Sequence, residues 1–465
     1  MPTECSADRM EFAPVAGRSV VAGFDGGTIT SDAGALLLGA TDRAIGLVRR
    51  FAACFVDHRS AEQVEHTLPT LVGQRVFALA LGYEDLVDHD TLRHDPVLAA
   101  VAGKLSARRS DCAPLAGKST LNRLEHAPGG APTRYHTIGH DAAMIERLFV
   151  ALFLDAHATP PGEIVLDLDA TDDPLHGAQE GRFFHGYYGC YCYLPLYVFC
   201  GDHLLVAKLR RSDGDASAGV VVEVERIVAQ IRARWPQVQI ILRADSGFAR
   251  DELMLWAEQH RVDYVLGLAR NSRLVGEITA ELATAGAEAE QTGKAARRFK
   301  DFRYRTLDSW SCARRVVGKA EQLVGAGGAT SANPRFVVTS LSAQIWPAQP
   351  LSERLYCARG EMENRIKECQ LDLFADRTSA GTMRANQLRL WLASMAYVLL
   401  EALRRISLKA TRLAQATAGT IRLKLLKIGA LVRVSVRRVT VAMASGHPWQ
   451  QDWAIAHQAL TAAAG

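Results

Sequence analysis

No stretch of this sequence is long and apolar enough to span a bilayer; the longest apolar run, residues 390–400, is far short of a span and is flanked by Arg389 and Glu401. The first residues, MPTECSADRMEFAP, lack the charged-then-apolar layout of a secretory leader. Nine cysteines, an odd number without regular spacing, exclude a disulfide framework and point to a reducing compartment. With 48% hydrophobic residues, 22% charged and 16 prolines there is little room for extensive disorder. Net charge is also scarce: +4 is too mild to name a polyanionic partner. One absence is local. Residues 402–451 hold no Asp or Glu, yet carry Arg404, Arg405, Lys409, Arg412, Arg422, Lys424, Lys427, Arg433, Arg437 and Arg438. A run of one sign repels itself unless an anion shares the surface. A soluble, cytoplasmic protein is expected.

What is there centres on residues 164–174, IVLDLDATDDP. Ile164, Val165 and Leu166 lead into Asp167 and Asp169, whose period of two sets both carboxylates on one face of a strand. Unpaired carboxylates are costly to desolvate without a partner or a metal, so acid in a strong strand marks a candidate site. The plainer alternative is that the strand ends at Leu166 and the acids cap a solvated turn.

Downstream, residues 191–199 and 204–209 read as two further strands of an antiparallel meander. Residues 219–235 have helical spacing and stop at Pro236; 238–242 is a strand running into Asp245-Ser246-Gly247; 250–260 is a helix and 264–268 a strand. The order is three antiparallel strands, helix, strand, helix, strand. Residues 271–350 break it: 284–294 reads as a loop, while 297–305, 313–319 and 335–339 read as strands, with a glycine-rich break at 325–328. A helix starting near Leu355 carries Tyr356, Arg359, Glu363, Lys367 and Gln370 on one stripe, which on an exposed helix would be ordinary i,i+4 ion pairing. Residues 420–427 and 431–441 read as a strand pair turning at Gly429.

Upstream, residues 20–41 give a strand, a glycine turn at Asp25-Gly26-Gly27-Thr28 and a helix, similar to the first phosphate loop of sugar kinases and actin-like ATPases. Residues 41–154 read as mostly helical, with breaks at Pro69, Pro96, Pro114 and Pro128 and a linker at 129–132. Gly117-Lys118-Ser119-Thr120 fails as a phosphate loop, because the glycine needed five residues earlier is Cys112. His185, Cys190, Cys192, Cys200 and His203 crowd one region, but Cys-x-Cys on a strand suits packing better than zinc.

Asp169 in Asp-Ala-Thr, Asp245 in Arg-Ala-Asp-Ser-Gly-Phe and Glu363 in Tyr-x-x-Arg-x-x-x-Glu, separated by 76 and 118 residues, together resemble the DDE transposases of bacterial insertion sequences. The resemblance runs from about Val20 to about Pro448 and is to the branch with a β-strand insertion before the Glu, insertion-sequence family thirteen-eighty. It implies an α/β protein with a ribonuclease-H-like core, a mixed five-stranded sheet with helices on both faces, over 151–270 and 351–405. It also implies a mostly helical domain at 1–150 for binding DNA ends, a β-rich insertion at 271–350 and a basic region at 406–465. The activity implied is hydrolysis at terminal inverted repeats followed by attack of the freed 3′-OH on target DNA.

Asp169, Asp245 and Glu363 would hold two Mg²⁺ ions, replaceable by Mn²⁺, since hard ions want carboxylate oxygen. Tyr356, Arg359 and Lys367 would grip phosphates, and Trp310 would stack a displaced base. The partners implied are double-stranded DNA, as transposon end and target, and a second copy of the chain on paired ends, with no small-molecule substrate, at the bacterial nucleoid. One departure stands out. The branch's Lys seven residues after the Glu is here Gln370, so its role passes to Lys367. Asp169 is preferred to Asp167 because it precedes Ala-Thr, where the family has Asp-x-Thr. The alternatives are a descendant that binds ends without cutting and an actin-like ATPase or sugar kinase.

Overall fold

The computed structural model describes residues 9–126, 129, 133–325 and 328–464; the expected linker at 129–132 and glycine break at 325–328 fall partly outside them. The chain divides into two compact units, Ala142–Leu371 with Ala375–Ser394, and Met1–Asp141 with Asp372–Phe374 and Met395–Gly465.

The first of these is built on a mixed nine-stranded sheet. Its strands are β1 (Glu163–Ala170), β2 (Leu196–Cys200), β3 (His203–Lys208), β4 (Gln239–Ala244), β5 (Asp263–Leu268), β6 (Ala296–Tyr304), β7 (Arg314–Val324), β8 (Thr330–Ala332) and β9 (Arg335–Thr339). They lie in the order β3-β2-β1-β4-β5-β9-β7-β6, with β8 beside β7. Strands β3, β2 and β1 are antiparallel neighbours, whereas β4 runs parallel to both β1 and β5. Parallel neighbours need crossovers, and helices α1 (Val220–Arg234) and α2 (Asp251–Gln259) supply them. The element order expected from the pattern is the one observed.

Why these residues form a two-sided sheet is visible in β4. Ile240 and Leu242 join one buried cluster with Val224, Ile227 and Ile231 of α1, while Ile241 joins another with Val265 and Leu351. A strand covered on both faces reads as continuous apolar sequence, and β4 does. Helix α1 ends at Trp235 because Pro236 cannot continue it.

Three expectations change here. Residues 191–199 are not one strand: Pro195 breaks them, and Cys190–Tyr193 pairs with Phe183–His185 and Asp173–Pro174 in a small sheet of its own. Residues 284–294 belong mostly to a helix, Thr279–Thr292, whose Ala and Glu favour helix and which ends at Gly293 with a φ of +66°. The strands of 271–350 form no separate sheet, because β9 pairs with β5 and carries β7 and β6 onto the edge of the central one.

In the other unit, Pro69 and Pro96 open the helices Leu68–Ala80 and Pro96–Val101 rather than breaking one, since a first-turn residue needs no amide donor. Residues 420–427, expected as strand, are mostly helical: Thr417 caps Ala418–Ile421, and a π-helical turn, Arg422–Leu426, continues it. The hairpin lies later, as Ala430–Val434 and Val439–Met443, with Ile29–Thr30 beside it. Acids from outside the basic run neutralise part of it, as in Lys427–Asp32 at 2.7 Å, Arg405–Glu401 at 3.0 Å and Arg412–Asp452 at 2.5 Å. Arg433, Arg437 and Arg438 at the hairpin tip stay exposed, with no acidic partner among the described residues. Among the described residues no helix is long and apolar enough to cross a membrane, and residues 390–400 are buried.

Candidate active site

Asp169 lies near the carboxyl end of β1, and Asp245 directly follows β4. The parallel register pairs Ala244 with Leu168, so the residues that follow, Asp245 and Asp169, come out together at the same end of the sheet, near enough for the charge of one to raise the other. Asp245 is held by a local bond, its Oδ1 accepting from the Gly247 amide at 2.8 Å. Asp169 Oδ1 accepts from the Ala170 amide at 2.9 Å.

The third acid arrives on a helix of irregular winding. A π-helical turn, Leu351–Tyr356, and a 3₁₀ turn, Cys357–Arg359, lead into α3 (Gly360–Lys367), and a second π-helical turn, Glu368–Asp372, follows. Such turns shift the side-chain phase away from regular helical spacing. Arg359 faces both neighbours: Nη1 stands 3.5 Å from Asp169 Oδ2 and Nη2 is 2.8 Å from Glu363 Oε1. Tyr356 packs its hydroxyl over Gly267 of β5, where a Cβ would also meet Ser246 N at 3.0 Å and the Asp245 carbonyl carbon at 3.2 Å. Gly267 is the price of bringing that phenol beside Asp245.

The electrostatics follow from the crowding. Burial pushes the Asp169 carboxyl up to about 6; Arg359 pulls it down, and the charges of Asp245 and Glu363 push it up again. Burial would lower the Arg359 guanidinium, but Asp169, Tyr356, Glu363 and Asp245 outweigh it and hold it above its ordinary value. Burial raises the Tyr356 phenol as well.

Asp167 does something else. It is buried and receives two bonds from Arg243, at 2.5 and 2.7 Å, and Arg243 also donates to the Leu355 carbonyl at 2.6 Å. Its oxygens are spent on an ion pair that ties β1 and β4 to the turn before Tyr356. Burial still lifts its carboxyl above the ordinary range despite Arg243.

Lys367 is exposed and makes no ion pair among the described residues, while Gln370 turns back to donate to Asp173 Oδ1 at 3.1 Å and the Asp172 carbonyl at 3.3 Å. Asp173 is fully buried and its carboxyl is raised well above the ordinary value by that burial. Trp310 is not where a base could reach it. Only 3% exposed, it packs edge-on against Tyr304 in the core, so the expected stacking role is corrected to a packing one.

Sequence reasoning missed Gly267, Arg243 and Gln370's partner. Gly267 carried a signal, since an isolated glycine inside a strand marks close approach by another group. Among the described residues no three His, Cys, Asp or Glu side chains are arranged to hold a metal. Burial pushes the Cys192 and Cys200 thiols up to about 11 and about 12. Asp169, Asp245 and Glu363 likewise adjoin one another without closing into a cage.

The family model described as "Transposase DDE domain group 1" matches residues 12–464. No curated protein matches the chain. One similar solved structure is a cryo-EM structure of piggyBac transposase synaptic complex with hairpin DNA, at 10% identity and a TM-score of 0.42, covering 84% of this chain and 78% of that one. With its family model spanning nearly the whole sequence, the chain belongs to the DDE transposases, group 1.

Proposed function

We propose that the protein is a metal-dependent DNA transposase of the insertion-sequence thirteen-eighty branch, with a ribonuclease-H-like core, that cuts transposon ends and joins the freed 3′-OH to target DNA. Asp169, Asp245 and Glu363 are its metal-holding carboxylates. The observation that carries the reading is the junction at Arg359: one guanidinium in contact with Asp169 and Glu363, beside Asp245.

The donor set suits hard divalent ions. It is all carboxylate, and Asp169 at about 6 is a group crowded by negative charge, which a cation relieves. For the trio to hold an ion, Arg359 would have to leave the carboxylates and Glu363 to turn inward. Bound there, two Mg²⁺ ions, or Mn²⁺ in their place, would supply a nucleophile at neutral pH and stabilisation for the departing 3′ oxygen.

The chain's own groups do the rest. Arg359, released from its carboxylates, has a planar fork suited to a phosphate, and Tyr356 offers a hydroxyl donor beside Asp245. Lys367, exposed one turn beyond Glu363, adds an unpaired cation for the DNA backbone. The substrate is duplex DNA, bound at paired ends by a dimer in the bacterial cytoplasm.

The test is nicking of a labelled duplex made from the inverted repeats that flank the coding region. Cleavage should require Mg²⁺ or Mn²⁺ and vanish in Asp245→Ala while DNA binding persists. Binding without cleavage by the unaltered protein would favour an end-binding descendant, and cutting by Asp245→Ala at the normal rate defeats the assignment.

A further inference from the structure

The small sheet beside the site ends in a hairpin whose surface is aromatic. Its strands are Phe183–His185 and Cys190–Tyr193, joined by Gly186-Tyr187-Tyr188-Gly189, and the turn is closed by the Gly189 amide donating to the His185 carbonyl at 2.8 Å. Among the described residues seven Phe and Tyr side chains are strongly exposed, and four of them, Phe183, Phe184, Tyr187 and Tyr191, lie on this one hairpin. Leaving large rings in water at such density serves neither the core nor solubility.

Three features say what covers them. The hairpin is tied to the reacting carboxylates through a short link: Asp173 and Pro174, four and five residues after Asp169, pair with Tyr193 and Cys192. The Leu175 amide adds a bond to the Tyr191 carbonyl at 2.8 Å. The rings gather in contact, with Phe184 and Tyr191 opposite each other on one face of the hairpin and edge-on at 5.4 Å, Tyr187 edge-on to Tyr188 at 5.0 Å, and the Arg182 guanidinium 4.6 Å from the Tyr191 ring centre. Finally, the half-buried Tyr188 ring lies 5.0 Å from the rings of both His185 and Tyr187, so the aromatic surface continues round the turn.

Resting on the transposase reading, we infer that this hairpin is a stacking platform for unpaired bases of the DNA strand at the reacting end. Rings take any base on its π-face, and the arginine on Tyr191 adds a positive charge suited to the adjoining backbone. Opening the end lets single-stranded DNA leave the duplex where Asp169 lies, and the platform holds it there.

The experiment uses the full chain and a short single strand of mixed sequence carrying 2-aminopurine, with the same sequence as a duplex. The unaltered protein should bind the single strand and quench the 2-aminopurine fluorescence. Tyr187→Ala and Phe184→Ala should each weaken single-strand binding about tenfold and restore fluorescence, with duplex affinity within about twofold of normal, whereas Tyr187→Trp should behave as the parent. Both residues are exposed, so unchanged thermal unfolding checks that the variants fold. Equal loss of single-strand and duplex binding, or no loss of either, overturns the platform. So does a change in sedimentation without a change in DNA binding, which assigns the rings to contact between copies. If the unaltered protein binds no DNA at all, the transposase reading falls with it; indifference to the ring variants alone sinks only the platform.

Discussion

At the scale of single residues, two aspartates two positions apart have opposite uses, and the neighbour on the next strand decides which. Asp167 meets Arg243 and becomes structure; Asp169 meets Arg359, Asp245 and Glu363 and is the one left for the proposed chemistry. The sequence held a clue, since Arg243 precedes Asp245 by the same two positions as Asp167 precedes Asp169. Parallel strands in register pair the first with the first. Without knowing that β1 and β4 are neighbours, the choice stays open.

Asp169 also makes stability depend on pH. Its carboxyl rises from 3.8 to about 6 on folding, so the folded chain holds the proton more tightly, and the stability this one group contributes is fully present below pH 4 and is lost as pH rises through about 6. The full interval corresponds to about 3 kcal/mol. Asp169→Asn should therefore abolish cleavage yet unfold at a higher temperature than the parent near neutral pH, less whatever its lost Arg359 contact costs. Added Mg²⁺ should raise the melting temperature of the parent and not of the variant. Thermal unfolding across pH 4 to 8 checks both.

At the scale of elements, the helix bearing Glu363 shows what periodicity reads and what it cannot. The three- and four-residue spacing from Tyr356 to Gln370 predicts one stripe, and Tyr356, Arg359 and Glu363 do gather near Asp169. Lys367, still in the regular helix one turn after Glu363, stands in solvent, and the π-helical turn beyond it sends Gln370 to the buried Asp173. No propensity scale anticipates a π turn, because it is fixed by tertiary contacts. Strand β5 sets the height of the same helix through Gly267. Gly267→Ala puts a methyl against the Tyr356 hydroxyl and the backbone around Asp245, where nothing flexible enough can yield. Overpacking of this kind costs about 1–3 kcal/mol. The variant should lose far more cleavage than stability, and adding Tyr356→Phe should recover part of the melting temperature. Kinetics and unfolding on the single and double variants decide it.

At the scale of the whole chain, the strands on either side of β4 were legible because their apolar runs and crossover helices leave few arrangements. The extension by β9, β7 and β6 was not, since alternating strands of 271–350 look the same whether they make a new sheet or lengthen an old one. The balance of charge behaves similarly. A total of +4 conceals a run of ten basic residues, and the sequence cannot reveal that Asp32, Glu401 and Asp452 come from outside to neutralise three of them. What remains is the tip at Arg433, Arg437 and Arg438. If those three meet phosphates, replacing all three by alanine should reduce the slope of log affinity for duplex DNA against log salt by about 2.7, at about 0.9 per contact. Fluorescence anisotropy over a salt series measures it.

The position of Arg359 bears on how such a protein lives beside a chromosome. Its guanidinium bridges two of the three acids, and it is the same side chain that the proposed chemistry sets to grasping a phosphate. On that reading a stray metal ion would find the blades held apart, and arming would wait for a DNA end to draw the guanidinium away.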